Sequence, residues 1–183
     1  MSAMVLLVID TQNALTNSRL FNFDGFVIRV EEMIKAAREN RVEVIYVRHD
    51  DGPGSELASG TWGHDIYKYF APREGEKIID KQFNSAFKET DLLEYLKQKG
   101  KKDLVVVGLQ TDYCVDATIK SGFEHGFRIF VPAGANTTVD NAFLSASQSV
   151  EYYNDFIWQG RYAACTPVEE ILEKMRKKSS EHE

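Results

Sequence analysis

The sequence predicts an α/β fold, an open parallel sheet covered by helices on both faces. Three observations predict it. Short apolar runs rich in β-branched residues alternate with helix-like stretches along the whole chain. Each alternation makes a βαβ unit, whose right-handed crossover lays its helix over the sheet. The 183 residues suffice for one well-buried core and are short for two, so residues 1–183 are expected to form one domain, and no internal repeat is visible.

The strand runs follow in order: "MVLLVI" (4–9), "VEVIYV" (42–47), "KIID" (77–80), "LVVVG" (104–108) and "RIFVP" (128–132). After the first strand, Asp24 stands where an N-cap is expected, and Phe26, Val27, Val30, Met33, Ile34 and Ala37 form one apolar stripe at helical spacing. A second helix is expected from near Thr90, using Leu92, Leu93 and Leu96, with Gly100 as its C-cap. A third runs from about Cys114 to near Gly126, and "VEEILEKMRKK" makes the last. The basic end of that helix suits its dipole, and the "SSEHE" after it reads as a frayed tail.

One stretch breaks the alternation. Residues 48–76 carry five of the twelve glycines, two of the four prolines and two of the four histidines. An insertion of this length usually has a purpose, and it follows the second strand, at the carboxyl edge where open α/β sheets bind ligands. Its "GPGSEL" starts like a dinucleotide-binding G-x-G-x-x-G, but position 57 is leucine and no helical run follows, so that reading fails.

Charge and cysteine content narrow the function. With 22 basic against 28 acidic side chains the net charge is −6, so no basic field exists to hold a phosphate backbone, and nucleic acid is not an expected partner. Only about six apolar residues precede Asp10, without a cationic leader, too few for a secretory signal or a membrane span. A cytoplasmic protein without membrane contact is expected. The two cysteines, Cys114 and Cys165, offer neither a disulfide framework nor a C-x-x-C spacing and read as free thiols.

Three titratable residues follow strand runs: Asp10, Lys81 and Cys114. Parallel strands place all three at one edge of the sheet. In the strand order 3-2-1-4-5 the first and fourth strands meet at the topological switch point, so Asp10 and Cys114 would face one another there. A thiol near a helix start and a cation favours its thiolate form, a carboxylate can take and return its proton, and a lysine can stabilise both. Each residue also has a structural alternative: Asp10 as a turn cap, Lys81 as a solvated surface lysine, and Cys114 as a small core hydrophobe.

Taken together, "LLVIDTQNAL", "DKQFNSAF", "VVVGLQTDYCVDAT" and "SGFEHGFRIFVPAGANTT" resemble the cysteine hydrolases of the isochorismatase-like superfamily, over residues 4 to about 138 and in the family's order. The resemblance implies a Rossmann-like parallel sheet, a triad of Asp10, Lys81 and Cys114, no cofactor, and homo-oligomers, either dimers or tetramers. It also implies a non-proline cis bond between Leu109 and Gln110 that turns the Gln110 N–H beside the Cys114 N–H, so that two backbone donors hold an oxyanion. Thr111 and Asp112 are expected to cap the helix that follows.

Nicotinamidase-type relatives carry an Asp-x-His motif and a further histidine after the second strand. Here that region reads "VRHDDGPG", with His64 fifteen residues beyond His49. No metal is expected, although His49, Asp51 and His64 remain the residues that would hold a cation. His49, Asp51, Trp62, Phe83 and Tyr113 are expected to contact substrate, with Trp62, Tyr67 and Phe83 either walling a pocket or packing in the core. The Gln-Pro-Gly-like stretch of isochorismatase proper is missing, which leaves the substrate open. "QGRY" (159–162), after Tyr152 and Tyr153, would reach a neighbouring subunit; Cys165 reads as structural, and the "NTT" sequon at 136–138 carries no meaning in the cytoplasm. The expected activity is hydrolysis of a small amide-type C–N bond through a thioester. The alternatives are a vinyl ether hydrolase of the same family and a catalytically silent binding or scaffold protein.

Overall fold

The computed structural model describes residues 3–180. Seven parallel strands form one sheet in the order β3-β2-β1-β4-β5-β7, and β6 pairs with the far end of β4. The strands are β1 (Met4–Ile9), β2 (Glu43–His49), β3 (Lys77–Lys81), β4 (Asp103–Leu109), β5 (Arg128–Pro132), β6 (Asn136–Thr137) and β7 (Ala164–Thr166). Among the described residues, five α-helices accompany them: α1 (Phe23–Glu39), α2 (Leu92–Gln98), α3 (Asp116–Glu124), α4 (Ala146–Glu151) and α5 (Val168–Ser180). The expected order 3-2-1-4-5 is present, with β1 and β4 adjacent.

All of β1 is fully buried, and its side chains divide with the period of two that a strand imposes. Met4, Leu6 and Val8 join one core with Phe26, Val30, Met33, Ile34 and Ala37 of α1 and Val168, Ile171 and Met175 of α5. Val5, Leu7 and Ile9 join another with Leu92 and Leu96 of α2 and Ile119 of α3. Each such side chain contributes about 1.5–3 kcal/mol by leaving water, which is why a strand with no polar face is stable only between two helical layers.

Several local details differ from the sequence expectation. Helix α1 begins at Phe23, with Asn22 rather than Asp24 at its N-cap position; Asn22 is left-handed (φ 48°), and Asp24 lies inside the first turn, where its charge suits the helix dipole. Gly25 permits this arrangement, since a Cβ there would lie 2.4 Å from Asn22 Nδ2. Helix α2 starts at Leu92, and Thr90 serves it from outside by accepting the Leu92 N–H at its Oγ1. The helix expected from Cys114 begins instead as a wide π-helical turn, Thr111–Val115, before α3. A second wide turn spans Tyr152–Trp158. Strands β6 and β7, of two and three residues, were not anticipated. Among the described residues no helix is long and apolar enough to cross a membrane.

Candidate active site

The site forms where β1, β3 and β4 end at the same edge of the sheet. Asp10 follows β1 in a left-handed conformation (φ 50°), which a short polar side chain tolerates, and its N–H donates to Val47 O of β2 at 2.9 Å. Lys81 is the last residue of β3 and pairs in register with His49, the last of β2. Gly108 sets how closely β4 runs beside β1, because a Cβ on it would lie 2.1 Å from Ile9 O. Beyond Gly108 the Leu109–Gln110 peptide is cis, and the wide turn carrying Cys114 follows. The Gln110 carbonyl accepts the N–H groups of Tyr113 and Val115, passing over that of Cys114 between them.

Lys81 joins the parts. Its ammonium donates to Asp10 Oδ2 at 2.8 Å, to Cys114 Sγ at 3.2 Å and to His49 Nδ1 at 2.9 Å. Ligand atoms of Asp10, His49 and Cys114 lie within 4.8 Å of one another, and the Lys81 ammonium stands at hydrogen-bond distance from all three residues. The point on which these donors converge is therefore already held by a cation that belongs to the chain.

Burial dominates the electrostatics. It pushes the Asp10 carboxyl above the usual carboxylate range, with the Lys81 charge pulling the other way. It pushes the Cys114 thiol up to about 12, aided by the Asp10 charge and opposed by Lys81. Burial thus works against the thiolate that the neighbouring cation favours. Cys114 lies in a π turn, and loss of solvent outweighs the single ammonium. One oxygen of the carboxylate, Asp10 Oδ1, is buried and has no hydrogen-bond partner among the described residues.

A polar frame holds these groups. Gln12 clamps the His49 main chain from both sides, its Nε2 donating to His49 O at 2.9 Å and its Oε1 accepting the His49 N–H at 2.7 Å. Behind the cysteine turn, Thr111 Oγ1 donates to Asn136 Oδ1 at 2.8 Å, and Asn136 and Asn154 are hydrogen-bonded to each other at 3.0 Å. Asp112 accepts from Thr138 Oγ1 at 2.6 Å. Thr111 and Asp112 therefore tie the turn to β6 and its neighbour; no side-chain cap forms at that helix end. Asn136, the sequon residue, is buried and committed to this network.

The residues expected to meet substrate lie in different places. His49 lies between Lys81 and Asp51, its Nδ1 2.9 Å from the Lys81 ammonium and its Nε2 2.8 Å from Asp51 Oδ1. His64 is apart from them, buried within the insertion with Nε2 3.5 Å from Asp80 Oδ1. Phe83 lines a cavity of about 190 Å³ together with Lys81, Asp50 and Asp80, and Lys88 Nζ sits 3.8 Å above its ring. Trp62 is exposed and borders a cavity of about 260 Å³ with Ala14, Glu56 and Gly63. A larger hollow of about 570 Å³ reaches Gln110 and is lined also by Ala14, Asn17, Arg19 and Asp140. Tyr113 is half exposed, and Tyr67 packs against Phe23, Tyr69 and Phe70 at the margin of the core.

The isochorismatase domain model matches residues 4–174. The chain belongs to the isochorismatase family. The family is one of hydrolases and includes amidohydrolases. The chain is 28% identical over 150 residues to a secreted isochorismatase effector of Verticillium dahliae, covering 80% of this chain and 79% of the relative. It is 27% identical over 160 residues to a ureidoacrylate amidohydrolase of Agrobacterium fabrum, covering 67% and 70%. Its fold superposes on the crystal structure of an isochorismatase-family protein from Chromobacterium violaceum with a TM-score of 0.88, at 28% identity and covering 94% and 93% of the two chains.

Within this isochorismatase fold two residues beside the site escaped the sequence reading. Gln12 and Asn84 both stand inside the motifs that carried the resemblance, yet an uncharged amide in a loop gives no chemical signal of its own. Gln12 holds β2 against the end of β1, and Asn84 Oδ1 lies 3.7 Å from Cys114 Sγ.

Proposed function

We propose that the chain hydrolyses a small amide-type C–N bond through a thioester on Cys114. The observation that carries the reading is the Lys81 ammonium bound at once to Asp10 (2.8 Å) and Cys114 (3.2 Å) at the mouth of the β1–β4 switch point. Because Asp10 Oδ2 is held by Lys81, the unpartnered Oδ1 is the oxygen available for a proton. Asp10 removes the Cys114 proton as the sulfur attacks the carbonyl carbon, so no free thiolate need accumulate from a thiol whose pKa stands near about 12. The Gln110 and Cys114 N–H groups receive the oxyanion. The tetrahedral adduct collapses as the C–N bond breaks, and Asp10 returns the proton to the leaving amine. Water then attacks the thioester, gives its proton to Asp10, and the released sulfur takes that proton back. His49, Asp51, Trp62, Phe83 and Tyr113 belong to this reading as the surroundings of the substrate, and the amidohydrolase of Agrobacterium fabrum supports the choice of bond.

A second reading has its own support. Burial raises the Asp10 pKa, and a protonated Asp10 would donate to a vinyl ether without a cysteine nucleophile. Small amides, ureides and vinyl ethers are to be screened with native protein, Cys114→Ala and Asp10→Asn, with acid-quenched intact mass on any amide that turns over. An adduct lost in Cys114→Ala, with both variants inactive, is the expected result. Substantial activity in Cys114→Ala with none in Asp10→Asn would overturn it in favour of the vinyl ether reading. Self-association is part of the proposal too: the exposed rings of Tyr152 and Phe156 lie 5.4 Å apart, and sedimentation of native protein and Phe156→Glu checks it.

A further inference from the structure

An ammonium has three N–H bonds, and each of those on Lys81 has an acceptor: Asp10 Oδ2, Cys114 Sγ and His49 Nδ1. A lysine ammonium only donates, so Nδ1 is the accepting nitrogen of His49. The imidazole proton then sits on Nε2, where Asp51 Oδ1 receives it at 2.8 Å. Gln12 fixes the main chain of His49 by holding both its N–H and its C=O, and the contacts at Nδ1 and Nε2 set the ring on that base. His49 is largely buried and Asp51 half exposed, so the pair leads from the enclosed ammonium to the protein surface.

We propose that His49, oriented by Asp51, is a positioning residue: it takes the third hydrogen of Lys81 and thereby aims the other two at Asp10 and Cys114. The proposal rests on the catalytic reading above and goes beyond the triad. Without an acceptor at the Nδ1 position, one N–H of a buried ammonium is left unsatisfied, and the group rotates to find another partner at the expense of the thiol. The groups around the ring are Lys81 from β3, Asp10 from the end of β1, Cys114 from the turn after β4 and Asp51 from its own loop.

Alkylation of Cys114 by iodoacetamide, read as peptide mass against time at one fixed pH, tests this in the full-length chain. His49→Asn keeps an acceptor near the Nδ1 position; His49→Leu, of similar size, keeps none. Relative to native protein, His49→Leu should label about tenfold more slowly and His49→Asn within about threefold. Rescue of the rate by the acceptor in His49→Asn, and not by the apolar bulk in His49→Leu, is a result that a purely structural role would not produce. Asp51→Asn should fall between native and His49→Leu. Lys81→Ala is the control for the underlying reading and should be slow. If His49→Asn and His49→Leu both keep the native rate while Lys81→Ala is slow, the inference is overturned and the triad stands. If Lys81→Ala labels like native protein, the triad itself is wrong and the inference falls with it. Should His49→Leu fail to fold, His49→Ala takes its place as the variant without an acceptor, and the same comparison with His49→Asn decides.

Discussion

Lys81 Nζ lies 2.8 Å from Asp10 Oδ2 although 71 residues separate them in the chain, and both side chains are closed to solvent. A buried pair of this kind depends on both partners, since either charge alone is costly to enclose. Lys81→Met should lower the unfolding free energy by about 3 kcal/mol, and the double variant with Asp10→Asn should recover a substantial part of it. Urea titrations of the native, single and double variants measure this. Equal midpoints for native and Lys81→Met would show that the pair carries no stability.

The same ammonium bears on metals. Asp10, His49 and Cys114 are the set of potential ligands found together among the described residues, and Lys81 bonds to each of them. Activity on any amide found in the substrate screen should therefore survive exhaustive chelation. Loss on chelation and return with zinc, manganese or iron would place a metal in the reaction.

Behind the cysteine turn, the Thr111, Asn136 and Asn154 network is enclosed, and each removed partner strands another polar group. Thr111→Val should cost about 1–2 kcal/mol of stability by leaving Asn136 Oδ1 with one donor fewer, and Asn136→Ala about 2–3 kcal/mol. Thermal unfolding at fixed pH gives both values. The position of Cys114 depends on this turn, so its alkylation rate should fall in parallel.

Alkali should weaken the fold. Burial raises the thiols of Cys114 and Cys165 from an ordinary 9.0 to about 12 and raises the Tyr46 hydroxyl as well. In the unfolded chain these thiols release protons above pH 9.0 while the folded chain still binds them, so stability is intact below that value and declines between it and about 12. The melting temperature should drop across this window, and Cys165→Ala should make the drop shallower. A flat profile to the upper end would contradict the burial of these groups.

The fold was legible because its strands are written in apolar runs whose period and length admit few alternatives. Met4–Ile9 and Asp103–Leu109 are buried throughout, and such strands need helices on both faces. The helix ends were less legible. Asp24 is a good capping residue by type, but Gly25 makes room for the left-handed Asn22, and the space left by a missing Cβ goes with a boundary earlier than the capping residue suggests. The two short strands β6 and β7 have no pattern to read, since two or three residues show no period.

For the site, the chain alone determined that Asp10, Lys81 and Cys114 would meet. Each stands just after or at the end of a strand run, and parallel strands bring their carboxyl ends to one edge whatever lies between them. Tertiary structure decided what they meet as. The state of Cys114 depends on how much solvent is removed from it by elements far apart in the chain, and that burial pushes its thiol up against the pull of Lys81 towards a thiolate. The third partner of Lys81 was settled in the same way. His49 and Asp51 read as substrate contacts or loop residues, with a cation the lesser alternative, until the β2–β3 register set His49 beside Lys81 and an ammonium with one hydrogen left to donate took its Nδ1.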